Sequence, residues 1–446
     1  MKTIRIGAGA AYSGDRVEPA VELAREGKLD YLVFECLAER TIALAQQARR
    51  KDPSRGYDPL LEKRMRAVLA LCAAQKIRII TNMGAANPES AAEKTRDIAR
   101  AMGLTGLKIA AITGDDVLEQ VKGSAYRSLD TDEPVKAYDN RMVSANAYLG
   151  AQPIVDALAG GADVVIAGRI ADPALFLAPL VYEFGWSMTD WTKLGRGTAV
   201  GHLLECGGQI TGGYFADPGP KDVPSMARLG FPLAEVSEDG TAVITKVPGS
   251  GGKVSAATCK EQLLYEVHDP KAYFQPDVVA DFSHVRVTEI GPDQVRIEGA
   301  DGHPRTETLK VTVGYLDGFI GEGEITYAGS NALVRGQLAR EIVRERLQLT
   351  GAQYDEIRFD LIGMDSLHGE KISANAPEPR EVRLRVAART SSMANAQVIG
   401  EEVETLWVNG PAGGGGARKY AREILAVLSV LLPRDRVRHT IRTVES

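Results

Sequence analysis

Apolar and polar positions alternate in blocks along the first half of the chain. Each block begins with a short continuous apolar run, continues through a polar or glycine-containing loop, and ends in a helical pattern. Continuous apolar runs are typical of strands buried on both faces, and strands that alternate with helices form parallel sheets covered by helices. We therefore predict an α/β domain over residues 1–215, with a mostly parallel sheet flanked by helices. The apolar runs are residues 3–9, Tyr31–Phe34, Ile77–Thr81, Leu107–Ile112 and Asp163–Ala167.

The pattern changes in the second half, where shorter runs are separated by turn residues. These runs predict strands, and two amphipathic stretches predict helices, so we expect an α+β domain over residues 216–446. The predicted strands are Val278–Phe282, Val285–Ile290, Gln294–Glu298, Thr308–Val313, Glu356–Ile362, Glu381–Ala388 and Thr405–Val408. The predicted helices carry apolar residues at Leu333, Leu338, Ile342 and Val343, and at Ile424, Leu425, Val427 and Leu428.

Polar side chains follow each predicted strand of the first half. Ligands of parallel sheets lie outside the carboxyl ends of the strands, so these side chains predict a polar binding edge. Any one Ser, Asp or Asn among them is also a common helix cap. As a group, with an arginine among carboxylates, they favour a binding site. They are Ser13, Asp15, Glu35, Glu39, Asn82, Asn87, Asp115, Asp116, Arg169 and Asp172.

A second group of reactive side chains lies in residues 201–213. His202 and Glu205 are three residues apart and share a face if this stretch is helical. Cys206 is a candidate nucleophile if His202 activates it, and a buried, unreactive thiol is the alternative. Gly207 and Gly208 follow directly and give the backbone freedom to approach a ligand. We expect this stretch to form one wall of the site, with His202 near Arg169.

Asn146 and Tyr148 precede the strand that leads to Arg169, so both are candidates for the same cleft, although a partly buried tyrosine is common in cores. The opening Gly7–Tyr12 resembles a dinucleotide-binding loop, but Tyr12 occupies the third glycine position. Glu35 lies roughly where such folds place a ribose-binding acid, which keeps that interpretation open.

Two glycine-rich loops are candidates for anion binding. A glycine turn before a helix directs free backbone N–H groups at a ligand, and the helix dipole favours negative charge. An ordinary turn or a linker is the alternative for both. The first loop contains Gly251, Gly252 and Lys253, and the second contains Gly413, Gly414, Gly415, Gly416 and Arg418.

Composition narrows the classes of partner. The net charge of −6 and the pI of about 5.7 argue against nucleic acid and anionic membranes. The four cysteines are too sparse for a disulfide framework, and no apolar run approaches the length of a membrane span. We expect a cytoplasmic homo-oligomer with a small-molecule ligand. The six histidines form no paired ligand motif, so the sequence indicates no metal site.

Taken together, several motifs resemble the acyclic terpene utilisation AtuA family over nearly the whole chain. They are Ile6–Ala10, Asp30–Thr41, Asn82–Gly84, Ala167–Arg169 with Asp172 and Pro173, Glu205–Gln209 with Gly212 and Gly213, and Gly410–Gly416. The family takes its name from the catabolism of citronellol and geraniol through acyl-CoA thioesters. Some similar proteins have an additional small ferredoxin-like domain, so the resemblance implies a small partner subunit as one possibility.

The resemblance to the AtuA family and the candidate site residues together predict a catabolic enzyme. It would act on a carboxylate or an acyl-CoA thioester, with CoA as part of the substrate. A hydratase, dehydratase or carbon–carbon lyase needs a base beside a carbonyl and a cation for the developing oxyanion. Glu35, Glu39, His202 and Glu205 are the candidate bases, and Arg169 is the candidate cation. A metal-dependent hydrolase and a ligand-binding subunit that requires a partner are the alternatives.

Overall fold

The computed structural model describes residues 2–373 and 375–446. The helices are α1 Glu18–Glu26, α2 Glu39–Lys51, α3 Leu61–Gln75, α4 Pro88–Ala101, α5 Leu118–Val121, α6 Gln152–Ala159, α7 Ala174–Phe184, α8 Trp191–Glu205, α9 Ala256–Leu264, α10 Ala332–Leu349, α11 Gly369–Ser373, α12 Met393–Glu404 and α13 Leu406–Asn409. The strands are β1 Thr3–Ala10, β2 Tyr31–Phe34, β3 Arg78–Thr81, β4 Lys108–Thr113, β5 Met142–Ala147, β6 Val164–Ala167, β7 Pro232–Ser237, β8 Ala242–Lys246, β9 Tyr273–Phe274, β10 Val279–Asp281, β11 Arg286–Gly291, β12 Gln294–Glu298, β13 Asp301–His303, β14 Thr308–Ala328, β15 Glu356–Ile362, β16 Glu381–Thr390, β17 Gly415–Pro433 and β18 Thr440–Glu445.

A large mixed sheet has the strand order β11-β12-β8-β7-β1-β2-β3-β6-β4-β18. Its centre, from β1 to β4, is parallel, as the continuous apolar runs predict. The strands on either side of this centre are antiparallel, because short turns connect β7 to β8 and β11 to β12, while β18 returns beside β4. The protein is therefore mixed α/β, and its main sheet continues past residue 215, where the sequence suggested a domain boundary.

Helices cover both faces of the parallel centre. Successive residues of a strand point to opposite faces, so Ile79 packs in the core with α1, α3 and α4, while Ile80 packs in the core with α6, α7 and α8. The connection after β3 leads to α4 on the first face, and the connection after the adjacent strand β6 leads to α7 on the second. This reversal creates a crevice at the carboxyl ends of β3 and β6, where such folds bind ligands.

The buried helix α8 approaches its neighbours closely through glycines. Its first turn is capped by the Asp190 side chain, which accepts a hydrogen bond from the backbone N–H of Lys193. At Gly201 an added Cβ would lie 2.5 Å from the carbonyl oxygen of Pro173, and at Gly195 it would collide with the carbonyl group of Asp301. Because both neighbours are backbone atoms, these two positions have no room for a side chain.

The chain divides into two compact units, Met1–Gly314 with Val427–Ser446, and Tyr315–Ala426. In the second unit β16 lies between β15 and β14, and α10 and α12 pack on this sheet. Ile325, Leu384 and Val343 belong to the resulting core. The other side of the sheet carries charge, since the Arg385 guanidinium lies 2.7 Å from the Glu322 carboxylate and 3.2 Å from that of Asp360.

Two predicted elements are wrong in the second half. Residues 405–408, predicted as a strand, form the N-cap and most of α13. The stretch predicted as a helix through Ile424, Leu425, Val427 and Leu428 is part of the long strand β17. A short apolar run fits a strand as well as a helix, and here pairing with β14 supplies the backbone hydrogen bonds that decide between them.

Candidate functional site

The loops after β2, β3 and β6 interlock at the crevice. The Asn82 side chain donates a 2.9 Å hydrogen bond to the Glu35 carboxylate and accepts one of 2.8 Å from the backbone N–H of Cys36. Glu35 also accepts a hydrogen bond from the backbone N–H of Leu37. Burial, followed by the charge of Asp172, raises the pKa of Glu35 well above its ordinary value. Asn82 and Glu35 therefore hold the loops together, and burial disfavours the ionised form of Glu35.

Arg169 is fully buried at the centre of this crevice. Its guanidinium donates to the carbonyl oxygens of Leu37 and Ile170 and pairs with the Asp172 carboxylate. It also lies 4.5 Å from the centre of the Tyr148 ring. Burial opposes its charge, but Asp172 and the other surrounding acidic groups outweigh burial and hold the pKa of Arg169 above its usual value. The arginine is therefore a fixed positive charge that orients Asp172 and Tyr148.

A carboxylate, a tyrosine and a lysine form the neighbouring group. The Tyr148 hydroxyl donates a 2.6 Å hydrogen bond to Glu39 Oε1, and Lys310 Nζ lies 3.1 Å from the same oxygen. The backbone N–H of Tyr148 donates to the carbonyl of Lys310, which aligns the two residues. Burial opposes ionisation of Glu39, but the Tyr148 hydrogen bond and Lys310 outweigh it and lower the pKa of Glu39 to about 2. Glu39 is therefore ionised at neutral pH and holds the lysine in place.

These groups line a cavity of about 520 Å³. Its lining combines polar and apolar side chains, so the cavity suits a molecule with a polar head and a hydrocarbon body. We call its main polar residues the polar wall and its main apolar residues the apolar wall. The polar wall contains Glu39, Tyr148, Asp172, Glu266, Tyr273 and Lys310, and the apolar wall contains Leu129, Phe274, Leu309 and Leu431.

His202 and Glu205 form a buried pair on which the charges of Asp172 and Glu266 act. His202 Nδ1 lies 3.0 Å from Glu205 Oε1, as expected for residues that share a face of α8. The imidazole packs against the rings of Tyr273 and Phe282. Burial lowers the pKa of His202 to about 4, while burial, followed by the charges of Asp172 and Glu266, raises the pKa of Glu205 well above its ordinary value. Burial therefore disfavours the charged form of both groups.

The predicted proximity of this stretch to Arg169 has electrostatic support, because the charges of Arg169 and Asp172 both act on Glu205. Within the part of the chain that the structure describes, Glu205 Oε2 is buried without a hydrogen-bond partner. The pair lies near the polar wall but is not among the cavity's lining residues. We interpret it as a structural support for that wall.

Cys206 and the two glycines after it have less reactive surroundings. Burial, followed by the charge of Glu205, raises the pKa of the Cys206 thiol, which disfavours the thiolate needed for nucleophilic attack. Gly207 has a φ of +48° and lies against Ala11, and an added Cβ at Gly208 would contact Leu229 and Phe231. These glycines serve close packing rather than the cavity wall.

Other predicted site residues lie at two further cavities. Asp115 and Asn146 line one of about 480 Å³, where Asp115 accepts hydrogen bonds from the Asn146 side chain and the backbone N–H of Arg169. Burial raises the pKa of Asp115 to about 6. Ser13 and Asn82 line the other, of about 570 Å³. The polar edge predicted as one site is therefore distributed over three cavities.

The first glycine loop has no free donors for an anion. The backbone N–H groups of Gly251, Gly252 and Lys253 donate to the carbonyls of Arg228, Pro224 and Thr211, at 2.8–2.9 Å. Ser255 then caps α9 through its side chain. Anion binding at this loop loses its physical basis, because the groups that would bind the anion already fix the turn.

The second glycine loop also lacks the predicted geometry. Gly413 and Gly414 precede β17, Gly415 and Gly416 begin it, and Arg418 lies exposed on that strand. The prediction required a helix after the glycines, and no helix dipole is present where β17 replaces it. The anion site predicted from Gly413, Gly414, Gly415, Gly416 and Arg418 is therefore unsupported.

Three residues of the polar wall were missed by sequence reasoning. Lys310 belongs to a strand whose neighbour, β5, lies about 160 residues earlier in the chain. Tyr273 belongs to the two-residue strand β9, and Glu266 follows α9. No local pattern marks any of the three, since only long-range packing brings them to the cavity.

Among the residues that the structure describes, no group of three or more His, Cys, Asp or Glu side chains has an arrangement that could hold a metal ion. Among the same residues, no helix combines the length and apolar character required to cross a bilayer.

We expect His202 to make the protein less stable in mild acid. Its folded pKa of about 4 lies below the unfolded value of 6.5, so the unfolded state binds more protons and stability falls as pH drops through this window. Between pH 7 and pH 5 the stability contributed by His202 alone falls by roughly 2 kcal/mol. Urea unfolding at both pH values should show a smaller loss in His202→Asn. Replacement of the exposed His284 by Asn should leave it unchanged, and equal losses in all three proteins would contradict the assignment.

Comparison with known proteins agrees with the motifs. A family model described as acyclic terpene utilisation family protein AtuA matches residues 4–443. No curated protein and no solved structure matches the chain. Because the family match covers nearly the whole sequence, the chain belongs to the acyclic terpene utilisation AtuA family.

Proposed function

We propose that the protein is a catabolic hydratase or dehydratase that acts on an acyl thioester with an apolar, branched chain. The observation that carries the proposal is the polar wall, where two carboxyl groups have pKa values shifted in opposite directions. The pKa of Glu39 is lowered to about 2, whereas burial raises the pKa of Asp172. Such divergence is characteristic of sites where one acid transfers protons and another keeps a fixed charge.

The roles follow from the contacts. Glu39 fixes Lys310, whose ammonium group stabilises negative charge on the carbonyl oxygen of the substrate. Asp172, oriented by Arg169, transfers the proton at the carbon next to that carbonyl. Its raised pKa suits this role, because burial makes the group a stronger base than an exposed aspartate. The product of the first step is an enolate in dehydration, and the same enolate precedes protonation in hydration.

Charge and shape favour a thioester over a free acid. The polar wall has three carboxyl groups, Glu39, Asp172 and Glu266, against the single ammonium group of Lys310. An uncharged carbonyl head avoids the repulsion that a free carboxylate would meet there. The apolar wall suits a hydrocarbon chain, in keeping with the terpene degradation for which the family is named. The same enolate chemistry would also serve a carbon–carbon lyase.

The test uses pantetheine thioesters of 3-methylbutanoic and 3-methylbut-2-enoic acids. In D₂O the protein should exchange the α-protons of the first and hydrate the second, both followed by NMR. Asp172→Asn and Lys310→Met should each lower the rates roughly 10²–10⁴-fold, because each removes a group that acts on the developing enolate. The exposed residues Asp435 and Lys260 supply the matched controls Asp435→Asn and Lys260→Met, which should keep the wild-type rates.

Full rates in Asp172→Asn would overturn the assigned roles. Absence of both reactions in the wild-type protein would overturn the hydratase proposal itself. Cleavage of a 3-hydroxyacyl thioester into two carbonyl products, without hydration, would instead identify a carbon–carbon lyase.

A further inference from the structure

Glu266 has a backbone conformation that a side chain makes costly. It comes two residues after the end of α9 and has a φ of +58°, in the left-handed region. For a residue other than glycine or asparagine this region costs about 1 kcal/mol or more. Strain of this kind concentrates at functional sites, where the surrounding structure maintains it. The surrounding structure must therefore maintain this conformation at Glu266.

The side chain faces the proposed site. Glu266 is exposed and lines the 520 Å³ cavity together with Asp172 and Tyr273. After burial, its charge is among the causes that raise the pKa values of Asp172 and Glu205, so it lies within electrostatic reach of both. Glu266 is therefore a solvent-accessible carboxylate that shares a cavity with the proton-transferring Asp172.

A pair of tyrosines lies beside this carboxylate. Burial, followed by the charge of Glu266, raises the pKa of Tyr265, so the phenol lies within electrostatic reach of the carboxylate. The Tyr265 ring meets that of Tyr214 edge to face, with centroids 6.5 Å apart, and Tyr214 itself has a φ of +60°. Two residues with left-handed backbone and an aromatic contact therefore surround the Glu266 carboxylate.

We propose that Glu266 is the second catalytic carboxylate of the site, the group that activates water for addition to the substrate. This inference rests on the proposed hydratase function and goes beyond it by assigning the water. The Glu266 carboxylate takes a proton from water as the oxygen bonds to the β-carbon of the unsaturated thioester. The π electrons move to the carbonyl oxygen beside Lys310, and Asp172 delivers its proton to the α-carbon. In the dehydration direction Glu266 returns the proton to the departing hydroxyl group, which leaves as water.

Two reactions separate this role from that of Asp172. Exchange of α-protons in the saturated thioester needs only Asp172 and Lys310, whereas hydration of the unsaturated thioester also needs an activated water. We expect Glu266→Gln to lower hydration at least 100-fold more than it lowers α-proton exchange, measured from pH 5 to pH 9. Asp172→Asn should lower both reactions together.

The backbone supplies a second readout. Glu266→Gly relieves the left-handed strain, so it should raise the melting temperature while hydration is lost. Lys28→Gly is the matched control, since exposed Lys28 also has a positive φ, of +49°, and is not among the lining residues of the cavity. It should raise the melting temperature by a similar amount and keep the wild-type hydration rate.

Wild-type hydration in Glu266→Gln would overturn the inference. An equal fall of hydration and exchange in that variant would also overturn it, because Glu266 would then act through Asp172 and not on water. A wild-type protein that shows neither reaction would overturn the proposed function, and this outcome is distinct from a variant that loses only hydration.

Discussion

Replacement of Arg169 by methionine is expected to destabilise the protein by about 3–5 kcal/mol. The residue is 0% exposed, and its guanidinium satisfies the Asp172 carboxylate and the carbonyls of Leu37 and Ile170. Methionine fills much of the same volume but donates no hydrogen bond, so the buried carbonyls of Leu37 and Ile170 would lose this donor and Asp172 would lose its cation. The loss should therefore reflect the unpaired groups more than a cavity.

Urea unfolding would measure this loss, with Arg286→Met as the matched control. Arg286 also pairs with a carboxylate, that of Glu298, but its side chain is 69% exposed. Exposed pairs of this kind contribute at most about 1 kcal/mol. Losses of similar size in the two variants would show that Arg169 has no special structural role. Arg169→Lys should also be destabilised, because an ammonium group cannot reproduce the planar, forked contacts.

Replacement of Gly201 by alanine is expected to destabilise the protein by about 1–3 kcal/mol, despite a better helix propensity. An alanine in place of glycine favours a helix by about 1 kcal/mol. At Gly201, however, the new Cβ would lie 2.5 Å from the carbonyl oxygen of Pro173, a backbone atom that cannot rotate away. The strain would reach Asp172, the residue before Pro173.

Gly197 is the matched control in the same helix. The three nearest atoms that an added Cβ would meet there belong to the side chains of Leu177, Trp186 and Leu180, and the nearest is the flexible end of Leu177. Thermal and urea unfolding should therefore show a smaller loss, or a gain, for Gly197→Ala. Stabilisation of both variants would mean that α8 does not depend on close approach at Gly201.

The elements that local pattern determines were predicted well. Tyr31–Phe34 and Glu356–Ile362 are strands with the predicted bounds, because each is a compact apolar or alternating run between turn residues. The shared face of His202 and Glu205 also follows from helical spacing alone. The partnership of Asn82 with Glu35 follows less directly, from the rule that parallel strands bring their carboxyl ends to one edge.

The elements and site residues that were not predicted depend on contacts between distant parts of the chain. The apolar spacing of Ile424, Leu425, Val427 and Leu428 is helical, yet pairing with β14 makes this segment a strand. Lys310 reaches Glu39 across 271 positions of sequence. Glu266 has a positive φ just after the end of α9, and its residue type gives no reason to predict one. Sequence patterns thus locate the crevice but do not identify the wall where the chemistry is proposed.

The position of β18 has a consequence for synthesis on the ribosome. This strand pairs with β4 in the large sheet, but residues 315–426 are made between the first part of that unit and its last strand. At typical translation rates the interval is on the order of ten seconds. Throughout it, the nascent chain presents β4 as an unpaired edge, which is a template for aggregation. Chaperones that shield strand edges would be most useful to this protein during that interval.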